Sequence, residues 1–180
     1  LDLLSKEFKE VNFSTIKKPL DFPKRHNFSF ADLTVAIKKF SGLRVCVIGD
    51  LIIDEYITCD PIGMSQEDPT IVVSPVSSKK FVGGAGIVAS HAAGLGANVS
   101  YFTVVGNDEI AKYSEDYLKE NRVNANLFHD GSRPTTLKQR YRASGKTLLR
   151  VSHLRNHDIS LEIMEAMFEA ITSNIKEYDL

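Results

Sequence analysis

The chain has 180 residues, of which 43% are hydrophobic and 25% charged, and its formal net charge is −1 at pH 7. This composition is that of a globular domain with enough apolar side chains for a core, which excludes a disordered or fibrous chain. The small net charge gives no overall attraction to nucleic acid or anionic lipid, and no apolar run approaches the roughly 18 residues of a membrane span. We therefore expect neither partner. Two cysteines are too few for a disulfide framework or a four-cysteine zinc site, so we expect a cytoplasmic protein without a metal site.

The first part of the chain differs from the rest. Residues 1–28 are basic and mixed, contain two prolines and fit no single hydrophobic period, so they are interpreted as a linker or the tail of a preceding domain. A helix is predicted to start near Ser29 and to stop at Gly42. Residues 29–180 are therefore predicted to form the folded domain.

A short β-branched run at 44–48 predicts a buried parallel strand that ends at Gly49 and Asp50. Ligands bind at this end of the strands in open α/β sheets. Between residues 55 and 82, short strand-like runs alternate with prolines and a glycine, and no helix intervenes. We therefore predict that the chain leaves the parallel sheet after Asp54, forms a small antiparallel lid at 55–82, and returns at Gly83.

From Gly83 the pattern is that of a parallel, doubly wound α/β sheet. A helix of small residues follows the glycines, then a strand at 99–105 and a helix at 109–121, which is βαβα order. After Pro134 the period becomes two and predicts a strand with Lys138 and Arg140 on one face, followed by a hairpin. A closing helix at 160–176 carries an apolar stripe predicted to lie in the core, and residues 178–179 are interpreted as entering a further strand.

The glycines at 83–86 allow two interpretations. The run from Gly84 to Ala89 matches the G-x-G-x-x-A pattern of dinucleotide-binding folds, and Asp108 follows at a suitable distance. That pattern requires a buried strand before the glycines, whereas residues 77–82 are largely polar. The interpretation we favour is that Gly83 and Gly84 bring backbone N–H groups close to a polar ligand at the start of a helix.

Several of these motifs occur together in one family. The run Val47-Ile48-Gly49-Asp50-Leu51-Ile52-Ile53-Asp54-Glu55-Tyr56, a flap with Ser65-Gln66-Glu67-Asp68-Pro69, the triplet Gly83-Gly84-Ala85, the run Gly94-Leu95-Gly96-Ala97-Asn98 and Gly106 stand in order. With these motifs the chain resembles the ribokinase-like (PfkB) carbohydrate kinases. It is most similar to the heptose-phosphate kinases that are fused to a nucleotidyltransferase.

The resemblance implies a sugar site and a doubly wound, ribokinase-type fold. It implies that Asp54 binds sugar hydroxyls, that Gly83 and Gly84 line the sugar pocket, and that the lid covers the sugar and pairs two copies of the chain. Lys138 or Arg140 falls in the strand where members that bind sugar phosphates place basic groups. Two alternatives stay open: Asp54 as a capping residue, and the basic residues as a solvated strand face.

The chain departs from the family pattern at two points. Ile87 stands where the family usually has an asparagine that binds the sugar, and it can neither donate nor accept a hydrogen bond. The Gly-Ala-Gly-Asp motif that carries the family's catalytic base, next to the ATP site, is absent from these 180 residues. The resemblance therefore implies ATP and Mg²⁺ for the full-length enzyme, whereas we expect the chain alone to contain no catalytic residue, to bind no ATP and to be inactive. Its expected partners are a second copy or a missing C-terminal half, and the rival hypothesis is a non-catalytic module for sugar binding or for dimerisation through the lid.

Overall fold

The structure is a computed structural model that describes residues 21–180, and these residues divide into two compact units after Lys38. The first unit contains α1 (Asp21–Arg25) and α2 (Phe30–Lys38). Ser29 and Asp32 cap α2 reciprocally: the Asp32 carboxylate accepts from the Ser29 backbone N at 2.7 Å, and the Ser29 hydroxyl accepts from the Asp32 backbone N at 3.2 Å. The helix predicted near Ser29 is therefore confirmed. Of the predicted linker, residues 1–20 lie outside the described residues, residues 21–25 are helical, and the domain boundary at residue 29 stays a prediction.

The second unit, residues 39–180, contains seven strands and three α-helices within the described part of the chain. In chain order they are β1 (Arg44–Ile48), β2 (Leu51–Met64), β3 (Ile71–Gly83), α3 (Gly84–Gly94), β4 (Asn98–Val105), α4 (Glu109–Glu120), β5 (Val123–His129), β6 (Thr136–Ala143), β7 (Lys146–His153) and α5 (Leu161–Thr172). A single 3₁₀ turn, Ile175–Glu177, follows α5. None of the helices described between residues 21 and 180 is long and apolar enough to cross a membrane.

The core lies on one face of a three-stranded parallel sheet with the order β1-β4-β5. On that face Val99, Tyr101 and Val123 are buried together with Ala89 of α3 and Leu118 of α4. Helix α5 lies on the opposite side of the sheet, where Ala170 lines a cavity with Ser100 and Phe102. This mixed architecture confirms the predicted α/β fold with a partial doubly wound parallel sheet and a separate antiparallel part.

The lid is larger than the sequence predicts. It is a four-stranded sheet with the order β3-β2-β6-β7, in which β2 pairs antiparallel with β3 and parallel with β6. The chain leaves the parallel sheet at Gly49, before Asp54, because Gly49 turns the backbone with φ +156° and the Leu51 backbone N donates to the Thr103 hydroxyl at 3.2 Å. The hairpin predicted at Ser144 and Gly145 is confirmed, and it belongs to this second sheet.

The prediction that the stripe of α5 lies in the core is wrong. No residue of α5 is buried: Phe168 is 67% exposed and Met164 is 48% exposed, whereas Ile163, Met167 and Ile171 are half-buried. Among the described elements, α5 packs mainly against the edge strand β5, so only one side of its stripe is covered. After the 3₁₀ turn the chain runs beside β1: Asp179 N donates to Arg44 O and Cys46 N donates to Leu180 O, both at 2.8 Å. Residues 178–180 are not themselves in a strand, so the further strand that residues 178–179 are predicted to enter stays a prediction.

Candidate functional site

One face of the second sheet gathers the polar side chains that the sequence singles out. Side chains alternate along a strand, so Asp54, Tyr56 and Thr58 project from the same face of β2. The register places Phe81, Lys79 and Ser77 of β3 beside them on one flank and Lys138, Arg140 and Arg142 of β6 on the other. We call this surface the Asp54 face. Seven of its residues line a cavity of about 660 Å³: Asp54, Tyr56, Thr58, Ser77, Lys79, Phe81 and Arg142.

Asp54 and Arg140 form an ion pair at the centre of this face. Arg140 Nη1 donates to Asp54 Oδ1; the Arg140 side chain is 23% exposed and the Asp54 side chain 27%. The hydrogen bond to Asp54 raises the pKa of Arg140 above its ordinary value. No group of residues 21–180 donates to Asp54 Oδ2, so this oxygen can accept a hydrogen bond from a ligand.

Two aromatic rings lie under the charged groups. Tyr56 and Phe81 pack edge to face, with ring centroids 5.6 Å apart. The Arg140 guanidinium lies 5.1 Å from the centroid of Tyr56, and Lys79 Nζ lies 5.2 Å from that of Phe81. Four basic side chains (Lys79, Lys138, Arg140 and Arg142) therefore share this face with one carboxylate. Their charge exceeds what Asp54 neutralises, which favours a ligand that carries negative charge.

The glycines at the start of α3 hold Asp54 close to the turn after β1. A Cβ atom at Gly83 would lie 3.0 Å from Asp54 Oδ2. Gly84 has φ +56°, and a Cβ atom there would overlap the carbonyl oxygen of Asp50, which accepts a hydrogen bond from Ala85 N at 2.9 Å. Only glycine fits this conformation and this space together. The two glycines thus allow the helix to begin directly against the β1–β2 turn.

A buried tyrosine, Tyr101, also holds the β1–β2 turn in place. Tyr101 is fully buried, and its hydroxyl donates to the carbonyl oxygen of Gly49 at 3.1 Å. Burial raises the pKa of Tyr101 to about 12, so the hydroxyl remains protonated and keeps this hydrogen bond at neutral pH. Gly49 itself has no room for a side chain, because a Cβ atom there would lie 2.9 Å from the Cβ of Ala85.

Gly86 serves packing. A Cβ atom at Gly86 would lie 2.7 Å from both Leu51 Cδ1 and Val82 Cγ1, so this glycine faces apolar side chains. In a dinucleotide-binding turn the corresponding glycine lets the backbone approach the pyrophosphate. Gly86 thus faces apolar side chains, and the segment before the glycines, residues 77–82, is largely polar. Both observations disfavour a nicotinamide or flavin site.

The structure brings together three of the six predicted site residues. Asp54 and Arg140 are in contact, and Gly83 lies against Asp54. Lys138 is the register partner of Asp54 on the same face, although no hydrogen bond joins the two side chains. Gly84 lies one residue beyond Gly83. Ile87 is half-buried in the first turn of α3 and does not line the cavity.

Sequence reasoning missed Tyr56, Phe81 and Lys79. Tyr56 could have been found, because alternation along β2 places it on the same face as Asp54. Phe81 and Lys79 required the pairing of β2 with β3. The two histidines that the sequence spaces four residues apart, His153 and His157, bind different partners: Gln139 Oε1 at 3.0 Å and the Ser132 hydroxyl at 2.8 Å.

The chain thus joins a parallel α/β layer to a four-stranded sheet that carries a carboxylate–arginine pair beside a Gly-Gly helix start. The family model described as "pfkB family carbohydrate kinase" matches residues 43–177. The chain belongs to this family.

Similar proteins agree with this assignment. The "Bifunctional protein HldE" of Nitratiruptor sp. is 34% identical over 76% of this chain and 29% of its own length. The "D-beta-D-heptose 7-phosphate kinase" of Bordetella bronchiseptica is 31% identical over 79% of this chain and 45% of its own length. The chain therefore spans less than half of either relative. A solved carbohydrate kinase from Agrobacterium tumefaciens has the same fold, with a TM-score of 0.59 at 14% identity over 77% of this chain and 44% of its own.

Proposed function

We propose that the Asp54 face binds the sugar or sugar-phosphate substrate of a cytoplasmic carbohydrate kinase. The observation that carries this proposal is the Asp54–Arg140 pair beside Gly83. A carboxylate can accept hydrogen bonds from two sugar hydroxyls, and a guanidinium can donate to hydroxyl or phosphate oxygens. The second sheet then acts as the lid over the sugar.

The relatives' names suggest the substrate. One of them is a heptose 7-phosphate kinase, and the excess of basic side chains on the Asp54 face suits a phosphorylated sugar. A phosphate group carries about two negative charges at neutral pH and accepts several charge-assisted hydrogen bonds. We therefore propose a sugar phosphate, of which a heptose phosphate is the first candidate.

We further propose that phosphoryl transfer depends on groups outside these 180 residues. In the whole enzyme, ATP with Mg²⁺ would supply the phosphoryl group. The chain has no Gly-Ala-Gly-Asp motif, and the glycine-rich start of α3 packs against Leu51 and Val82, which does not suit a phosphate cradle. We therefore propose that the catalytic base and the nucleotide site lie outside these 180 residues, and that this chain positions one substrate.

Calorimetric titration of the 180-residue protein tests this function. We expect heptose 7-phosphate to bind at least tenfold more tightly than the unphosphorylated heptose, and inorganic phosphate to bind more weakly than either. With ATP and Mg²⁺ added, we expect no sugar-dependent release of ADP. Equal affinity for the two sugars would contradict the sugar-phosphate assignment, and absence of sugar binding would contradict the proposed function. ADP release that depends on the sugar would contradict the proposal that the catalytic groups lie outside these 180 residues.

A second candidate function is dimerisation through the lid. At the far end of the β2–β3 hairpin, Ile62 is 67% exposed, Met64 61% and Ile71 56%, and such a cluster favours association. β3 is also an edge strand of its sheet, with unpaired backbone groups. The partner that we propose is a second copy of the chain.

Sedimentation of a charged variant tests the dimer. Replacing Ile62 with aspartate is expected to convert a dimer into a monomer, because the new charge would have to be buried in the interface. Replacing the exposed Asp60 with asparagine on the same strand is the control and is expected to leave the dimer intact. A wild-type chain that sediments as a monomer at all concentrations would contradict this role.

A further inference from the structure

The opposite face of the second sheet holds a buried carboxylate that the proposed sugar site does not use. Glu55 follows Asp54 in β2 and is only 8% exposed. It accepts a hydrogen bond from the Ser78 hydroxyl of β3 and another from Gln139 Nε2 of β6 at 2.8 Å. Lys80 Nζ lies 3.9 Å from the same carboxylate. One side chain thus connects the three strands that carry the Asp54 face.

The network continues to the remaining strand and to the parallel layer. Gln139 Oε1 lies 3.0 Å from His153 Nε2 of β7, so all four strands are joined through side chains. Lys80 lies 5.8 Å from the ring of Tyr113 in α4, and its carbonyl oxygen accepts a hydrogen bond from the Tyr113 hydroxyl at 3.2 Å. Glu55 is therefore linked both across its own sheet and to a helix of the other layer.

The register explains why such a residue matters for the opposite face. Glu55 is paired directly with Gln139, and their chain neighbours are Asp54 and Arg140. A shift of β6 by one residue would turn Arg140 away from Asp54 and would leave Glu55 without its donor from Gln139. Ser78 would remain as a donor to one oxygen, but the other oxygen of this buried carboxylate would lose its partner. Leaving a buried acceptor unpaired is unfavourable, so the hydrogen bond between Glu55 and Gln139 opposes this shift.

We propose that Glu55 is a positioning residue for the sugar-binding face: it fixes the register and spacing of β2, β3 and β6, and thereby the arrangement of Asp54 and Arg140. This inference rests on the proposed function of the Asp54 face. It assigns no contact with the ligand to Glu55, because its side chain points to the other side of the sheet.

Three variants of the 180-residue protein separate positioning from general stability. Glu55→Leu removes both acceptor oxygens, and we expect heptose 7-phosphate to bind at least tenfold more weakly. Glu55→Gln keeps an acceptor for Ser78, and Gln139 can rotate its amide to match, so we expect affinity within about threefold of the wild type. The exposed Asp60 lies on the same strand, and Asp60→Leu is the matched control, with no change expected.

Hydrogen exchange measured without ligand provides the readout that is independent of sugar binding. In Glu55→Leu we expect faster exchange in the second sheet, at the amides of β2, β3, β6 and β7, with β1, β4 and β5 unchanged. Equal acceleration in both sheets, or wild-type affinity in Glu55→Leu, would overturn the positioning role. If the wild type binds no sugar while exchange changes as expected, the proposed function fails and the structural role of Glu55 stands.

Acid unfolding supplies a further test if Glu55→Leu does not fold. Burial alone would raise the pKa of Glu55, but the hydrogen bonds from Ser78 and Gln139, with smaller contributions from Lys80 and His153, outweigh it and hold this pKa below its ordinary value. Tyr113 of α4 also faces Lys80 beside this carboxylate. The stabilisation from ionised Glu55 is therefore present at neutral pH and is lost as the pH falls through the lowered pKa. We expect the free energy of unfolding of Glu55→Gln to be lower than that of the wild type at pH 7 and equal to it at acid pH. A difference in this free energy that does not depend on pH would overturn the role of the Glu55 charge.

Discussion

Replacing Asp54 with alanine is expected to weaken the binding of heptose 7-phosphate by about 10- to 100-fold. The variant loses the carboxylate that we propose accepts hydrogen bonds from the sugar, and a hydrogen bond to a charged group contributes about 1.5–3 kcal/mol. It also leaves Arg140 without the partner that holds its guanidinium in place over Tyr56. Calorimetric titration measures the affinity, and circular dichroism reports whether the fold is kept.

Asp54→Asn is the matched control for charge. Asparagine keeps the shape and one acceptor oxygen, so we expect an affinity between those of the wild type and of Asp54→Ala. If both variants bind the sugar phosphate as tightly as the wild type, Asp54 is a structural residue. Its role would then be the ion pair with Arg140; the capping interpretation is not supported, because Asp54 lies inside β2.

Replacing Gly84 with alanine is expected to lower the free energy of unfolding by at least about 3 kcal/mol. At φ +56° a residue with a side chain costs roughly 1–2 kcal/mol, and the added methyl group would in addition overlap the Asp50 carbonyl oxygen, which belongs to the backbone and cannot move aside cheaply. A small domain has a total stability of only about 5–15 kcal/mol. Urea denaturation followed by circular dichroism measures the loss.

The other end of the same helix supplies the control. Gly94 is the last residue of α3, its φ is not positive, and a Cβ atom there would meet nothing within 4 Å. Gly94→Ala is therefore expected to stabilise the protein by about 0.4–1 kcal/mol, because alanine restricts the unfolded chain. If Gly84→Ala were as stable as Gly94→Ala, the close approach of α3 to the β1–β2 turn would be refuted.

Local patterns predicted the elements of this fold, but they did not predict how distant strands pair. The strand at 44–48, the glycine turn after it and the helix that begins at Gly84 follow from short-range preferences of the residues themselves. The pairing of β2 with β6 joins Asp54 to residues more than 80 positions later, and no periodicity within either strand encodes that choice. The sequence therefore predicted Asp54 and Arg140 separately and did not predict that they form an ion pair.

The apolar stripe of α5 illustrates the opposite limit. Its spacing correctly predicted a helix with one apolar side, but spacing cannot say how much of that side another element covers. Met164 and Phe168 remain exposed in the described structure, whereas Leu118 of the amphipathic helix α4 is completely buried. The two helices differ in their neighbours, which are a property of the fold and not of the helix sequence.

The membership of β6 and β7 in the same sheet as the β2–β3 hairpin has a mechanical consequence. A hairpin alone would be attached to the parallel layer at two points, after β1 and before α3, and could swing about them as a flap. The sheet is attached at two more points, after β5 and after β7, so that the backbone crosses between the layers four times. Because the four strands are paired continuously and attached at four points, we expect the sheet to move as one unit and not as a separate hairpin.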